Sequence, residues 1–312
     1  MDSSMSKFKN NLEANKMITD RMVDDLMREA IDTHIHSNPH YGGKKNLDAI
    51  EAAKQAEEAG MRAIVLKCGT FPSGGVAYLV SKLVKKIKVF GGITLNRSVG
   101  GLNPVALEKA ITYGEGNPGE FTKVVWMPTL DAQIHVRHEK RPESDIIQIL
   151  RDGKLVPEMT PIFDLVAKHD LILATSHLAP EEIFPIIEEG KKRGVKKIII
   201  THPHNVVPYI PIPRQQEMAR MGAWIEHCYV MATKYYLDKY GFSVNISRIA
   251  DDIKAVGPKH CILATDLGAD PGINPPPVVG MRMFMKGLLE NGITPEEVEE
   301  MKLNSARLLG LG

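Results

Sequence analysis

The chain has 312 residues, with 39 basic against 38 acidic side chains, 43% hydrophobic and 25% charged. A net charge of +1 leaves no footprint for nucleic acid or an anionic membrane, and no apolar run approaches the ~20 residues of a membrane-spanning helix. Three scattered cysteines, Cys68, Cys228 and Cys261, each in or beside an apolar run, argue against a disulfide framework and suit a reducing, cytoplasmic setting, and the polar residues 1–11 lack the apolar core of a secretory signal.

Residues 1–27 predict a leading helical extension, and residues 28–312 a single barrel domain. From there, short β-branched runs alternate with amphipathic segments. Strands are expected at 30–36, 62–68, 88–95, 123–129, 171–177, 196–202, 223–228 and 260–266. Most are continuous apolar stretches, the pattern of strands buried on both faces of a parallel sheet. Between them lie helices with recognisable ends. The segment 47–60 stops at Gly60, 180–194 opens with proline and two glutamates and closes with Lys-Lys-Arg-Gly, and 295–309 follows Thr294, a good N-cap. Such alternation gives right-handed crossovers, and the eight units fit a closed (β/α)₈ TIM barrel better than an open doubly wound sheet. The longest connection, 131–160, follows the fourth strand as an insertion. Apolar runs around Asp152-Gly153 predict a hairpin there, on the face where the barrel's pocket opens.

The histidines fall where a barrel does its chemistry, at the C-terminal ends of strands. Asp32-Thr33-His34-Ile35-His36 closes the first strand. A period of two puts Asp32, His34 and His36 on one face. His177 closes the fifth strand, His202 the sixth and Asp266 the eighth. Four imidazoles and a carboxylate are ligands for a divalent transition metal, Zn²⁺ first, with Mn²⁺, Fe²⁺ or Ni²⁺ also suited. Singly, each has a plainer reading: a hydrogen-bonded rim histidine, or for Asp266 a helix N-cap. The five on one rim argue for metal.

Ile31-Asp32-Thr33-His34-Ile35-His36 resembles the first-strand signature of the amidohydrolase superfamily. His177, His202 and Asp266 match its positions on strands five, six and eight. The run Asn304-Ser305-Ala306-Arg307-Leu308-Leu309-Gly310-Leu311 is similar to the Asn-Pro-Ala end common in that family, with Ser305 in place of proline. Val125-Trp126-Met127-Pro128-Thr129, Leu95-Asn96 and Gly100-Gly101-Leu102-Asn103-Pro104 resemble an uncharacterised amidohydrolase-like branch, a domain of unknown function that names no substrate. The resemblance implies a metal-dependent hydrolase of an amide, lactone or ester bond in a small molecule, using a metal-activated water with Asp266 as general base and His202 assisting.

One departure bears on stoichiometry. Two-metal members carry a bridging lysine or glutamate on the fourth strand, and this strand ends in Pro128-Thr129 without one, so a single ion per chain is expected. Lys67 has three readings: a contact for an acidic substrate group, a structural ion pair, or a ligand after carboxylation. Glu226 is a ligand, a substrate contact or a rim ion pair. Asn96, Thr129, His135 and His204 complete the candidate substrate contacts, each against the alternative of a loop-stabilising polar residue, and His204 could replace His202 as ligand. His169 and His260, at the opposite strand ends, are expected to be structural. Gly74-Gly75 is a weak phosphate cradle. Asp32 is expected to fix a histidine tautomer from behind the ligands. A phosphoesterase, a lyase or decarboxylase, and an inactive binding protein are the alternatives, and homo-oligomerisation is left open.

Overall fold

The computed structural model describes residues 18–40, 47–115, 117–268 and 274–312. The apolar runs form strands β1 (Ile31–Ile35), β2 (Ala63–Leu66), β3 (Lys88–Thr94) and β4 (Thr122–Trp126). A small hairpin follows, β5 (Leu150–Arg151) and β6 (Lys154–Leu155). Then come β7 (Ile172–Ala174), β8 (Lys197–Ile200), β9 (Trp224–Cys228) and β10 (Cys261–Ala264). Apart from the hairpin they form one eight-stranded sheet in the order β1-β2-β3-β4-β7-β8-β9-β10. Neighbours run parallel throughout. The ring closes above the strands themselves. Asp266 N–H donates to His34 O and His36 N–H to Leu267 O, both at 2.8 Å, and Ile35 bridges Leu267. The architecture is the expected (β/α)₈ barrel.

Helix ends follow their sequence signals. Asp48 caps Ala49–Glu58 in a capping box with Glu51, and Thr294 does the same for Pro295–Leu309 with Glu297. The leading helix is Asp20–Met27, capped by Thr19. It buries Val23, Leu26 and Met27, and Arg282 and Lys286 of helix Pro277–Glu290 pair with its acidic residues. Residues 1–17 of the extension lie outside the described residues. The hairpin turns at Asp152 and Gly153, both with positive φ (52° and 73°), as a type I′ turn requires.

Two apolar layers result. The larger lies between sheet and helices. The smaller fills the barrel with Ile31, Val65, Phe90, Trp126, Ile172 and Ile262, and Leu308 and Leu309 floor it from the C-terminal segment. Asn304, in the stretch that carried the family resemblance, donates its amide to the carbonyls of Pro258 and Cys261 and so fixes the entry to β10. Gly74 is a packing residue rather than a phosphate cradle, because a Cβ there would sit 2.2 Å from Thr122 Oγ1.

Candidate metal centre

The site is assembled where the barrel closes. In β1 the register against β2 shifts between Asp32, opposite Ile64, and Ile35, opposite Leu66. Parallel partners share a face, so Asp32 and Ile35 both point to the helical layer that holds Ile64 and Leu66. Three residues apart on one face means one residue too many for strict alternation, a β-bulge. The extra residue lets Thr33 and His34 both reach inward to Glu226 of β9. Thr33 Oγ1 donates to Glu226 Oε1 at 2.8 Å, and His34 Nδ1 lies 3.2 Å from Oε2. Asp32 is thereby removed from the predicted face. It accepts from Thr265 N and Oγ1 at 3.0 and 2.6 Å and from His34 N at 3.1 Å. It staples β1 to the residue after β10 and does not touch an imidazole ring. Glu226 takes the tautomer-fixing position foreseen for Asp32.

On the other side of His34, Nε2 lies 3.0 Å from Asp266 Oδ1, and His36 Nε2 lies 3.0 Å from the same oxygen. His34 Nε2 is buried and lacks the alignment of a hydrogen bond to any partner. Ligating atoms of His34, His36 and Asp266 fall within 4.8 Å of one another. The rings continue as a row. His34 and His202 have centroids 5.9 Å apart, and His202 and His177 5.0 Å. His177 stacks on His135 at 4.8 Å, with an Nδ1–Nδ1 distance of 2.8 Å. His202, Asp266 and Ser176 beside His177 all have positive φ (32°, 52° and 52°), a backbone strain that clusters at functional sites.

Burial keeps most of these rings neutral. It pushes His36 and His202 down to about 3, and His177 well below its ordinary value. Neutral imidazoles hold free lone pairs, the form a metal needs. His34 differs. Burial, the largest single influence, would lower it, but Asp266 and Glu226 together outweigh this and the net shift is upward. Burial would likewise raise Asp266, yet His34 and His36 hold it well below the ordinary carboxylate range. The pocket therefore favours positive charge between His34 and Asp266. Two imidazole nitrogens on one carboxylate oxygen, with two more neutral rings in line, fit a borderline-soft divalent cation.

The other predicted contacts divide. Lys67, directly after β2, is buried, with its Nζ 5.5 Å from the Trp126 ring centroid. Asn96 and Thr129 bond each other, Nδ2 to Oγ1 at 2.8 Å and Thr129 N to Oδ1 at 2.9 Å, and Asn96 also donates to Gly69 O. They tie together the loops after β2, β3 and β4. His204 does not join the cluster. It is fully buried and donates from Nε2 to Asp252 Oδ2 at 2.8 Å, on helix Ile246–Val256. Asp252 also receives Gln215 and Arg248. The chain after β8 thus turns His202 inward and His204 outward, and the His227 ring of β9 lies tilted beside His204, with centroids 5.3 Å apart. Sequence reasoning had left Asp252 and His227 out, since a polar residue facing the helical layer carries no strand-end signal.

The family described as one of unknown function (DUF6282) matches residues 29–226. Among solved structures, the chain is similar to an amidohydrolase from Pseudomonas aeruginosa, at 13% identity and TM-score 0.59, covering 94% of this chain and 98% of that one. A zinc-bound amidohydrolase from Burkholderia multivorans is 10% identical with TM-score 0.56, covering 91% and 99%. A 2,6-dihydroxybenzoate decarboxylase from Rhizobium gives the same values, 10%, 0.56, 91% and 99%. At these identities the likeness is one of fold. No curated protein matches the sequence.

Proposed function

We propose that this chain, which belongs to the family of unknown function DUF6282, is a metal-dependent hydrolase that opens an amide, lactone or ester bond in a small molecule. The observation that carries this reading is the convergence of His34, His36 and Asp266 at the barrel seam, with His202 and His177 next in line. These five residues would hold one divalent ion per chain. Zinc is our assignment, supported by the donor types and by the zinc in the Burkholderia barrel. The second triad of candidate ligands, His34, Glu226 and Cys228, shares His34, and its Glu226 is already engaged by Thr33 and His34. A single ion follows.

When bound, the ion supplies a Lewis acid that acidifies water and polarises a carbonyl. The chain's own residues do the rest. Asp266 accepts the proton of the attacking water and passes it to the departing group. Glu226 fixes the His34 tautomer by taking its Nδ1–H, which leaves Nε2 as the ligating atom. His135 orients His177 through the short Nδ1–Nδ1 contact.

A lyase is the reading to separate, because a decarboxylase shares the fold. Metal-loaded protein should be assayed with Zn²⁺, Mn²⁺ and Ni²⁺ against lactones, amides, esters, phosphate esters and aromatic carboxylic acids. Hydrolysis of a lactone, amide or ester, stopped by chelator and incorporating one solvent oxygen into product, is the expected result. Turnover confined to phosphate esters, or decarboxylation with no solvent oxygen incorporated, would overturn the assignment.

A further inference from the structure

We infer that Lys67 is the receptor for an anionic group of the substrate, so that the site takes a small carboxylate-bearing molecule. The inference rests on the metal site proposed above and names its substrate class.

Lys67 is only 4% exposed, and lysine is almost never that buried without a carboxylate partner. Among the described residues its ammonium makes no ion pair or hydrogen bond. The face of Trp126 lies beside it. The placement is directed. Val65 points into the barrel, and Lys67, two residues on, shares that face, while its N–H still donates to Ile35 O at 2.8 Å. Trp126 flanks both Lys67 and the ligand cluster, 5.5 Å from the ammonium and 6.2 Å from the His34 ring. Lys67 thus stands on the inner face just past the end of β2, beside a ring that also neighbours His34.

Burial is the largest influence on the ammonium and lowers its pKa, while two carboxylates, Asp266 and Glu226, pull the other way. Both are taken, Asp266 by His34 and His36 and Glu226 by Thr33 and His34. An anion entering the mouth is what remains to satisfy it. A carboxylate is favoured over a phosphate because its single charge matches this one lysine, and the neighbouring cation on this rim, Arg97, is tied to Asp145.

The test is binding, not turnover, so its failure and that of the hydrolase reading are distinguishable. Metal-loaded protein is titrated calorimetrically with acetate, succinate and benzoate, with the corresponding amides, and with inorganic phosphate. Lys67→Met keeps the stem and removes the charge, and Lys67→Arg keeps the charge. At least one carboxylate should bind about tenfold to hundredfold tighter than its amide and than phosphate. Lys67→Met should abolish that preference with its metal content unchanged, and Lys67→Arg should restore part of it. Equal binding of acid and amide, no binding of any carboxylate, an undiminished preference in Lys67→Met, or tighter binding of phosphate would overturn the inference. So would loss of metal from Lys67→Met, which would make the lysine a ligand.

Discussion

Asp266 Oδ1 lies 3.0 Å from the Nε2 atoms of both His34 and His36, and the two imidazoles depress its pKa against the upward push of burial. A carboxylate so placed can serve as ligand and as base. Asp266→Asn keeps the shape and one oxygen but cannot take a proton. Turnover should fall about 10²–10⁴-fold while most metal affinity survives, read from kcat beside metal titration. Near wild-type turnover in that variant would move the base elsewhere. The ligand roles separate from the structural ones by place. His34→Ala and His36→Ala should lose metal and keep the fold. His169→Ala and His260→Ala, at the opposite strand ends, should keep both; elemental analysis with circular dichroism distinguishes the pairs. Glu226 touches His34 Nδ1 and in the proposed site would act on the ion through that ring. Glu226→Gln should weaken metal binding about 10–100-fold by loosening the tautomer, and a variant that binds metal as tightly as wild type would leave Glu226 without this role.

Among the elements, the bulge in β1 and the turn after β8 decide which side chains enter the site. Both lie beneath what periodicity can read. The eight strands were legible because buried parallel strands are written as apolar runs, and the clustered residues His34, His36 and Asp266 could be picked out because they lie at or just past the ends of such runs. The facing of Asp32 was not, since a bulge inserts one residue without any change in residue type. His204 misled for a similar reason: two residues from His202, it looks like a second rim histidine until the chain turns and Asp252 takes it into the helical layer. Glu226 was legible as a polar residue on β9 but not as the partner of His34, because that pairing joins residues far apart in sequence. The glycines were legible as breaks and not as contacts. Gly74 opens helix Gly74–Ser81 against Thr122, the first residue of β4, and an added methyl would meet Thr122 Oγ1. Gly74→Ala should cost about 1–3 kcal/mol in urea unfolding, in line with overpacking elsewhere. An unchanged midpoint would show that Thr122 can rotate aside.

At the scale of the whole molecule, the buried histidines make stability depend on pH in a defined direction. His36, His202 and His227 are each pushed down by burial to about 3, against 6.5 for an exposed ring. Below pH 6.5 the unfolded chain takes up protons at these positions that the folded chain refuses, so each contributes stability above 6.5 that is lost as pH falls toward 3, by up to ~1.4 kcal/mol per pH unit. Asp266, depressed by His34 and His36, adds to the loss only below the ordinary carboxylate value of 3.8. Two groups oppose it. Burial raises Asp32 to about 7, and Asp266 raises His34, so the folded state binds more protons there. Three histidines with large downward shifts, joined by His177, outweigh them. Protein kept in chelator should therefore show a urea midpoint that declines as pH falls from 6.5 to 5. His227 isolates the effect from metal chemistry. It faces the helical layer, both its ring nitrogens are buried without hydrogen-bond partners, and no proposed ligand depends on it. His227→Asn should flatten the slope by about one proton's worth, ~1.4 kcal/mol per pH unit, whatever it does to stability at pH 7. A midpoint that holds constant or rises on acidification, or a slope that His227→Asn leaves untouched, would mean that these rings take up protons in the folded state.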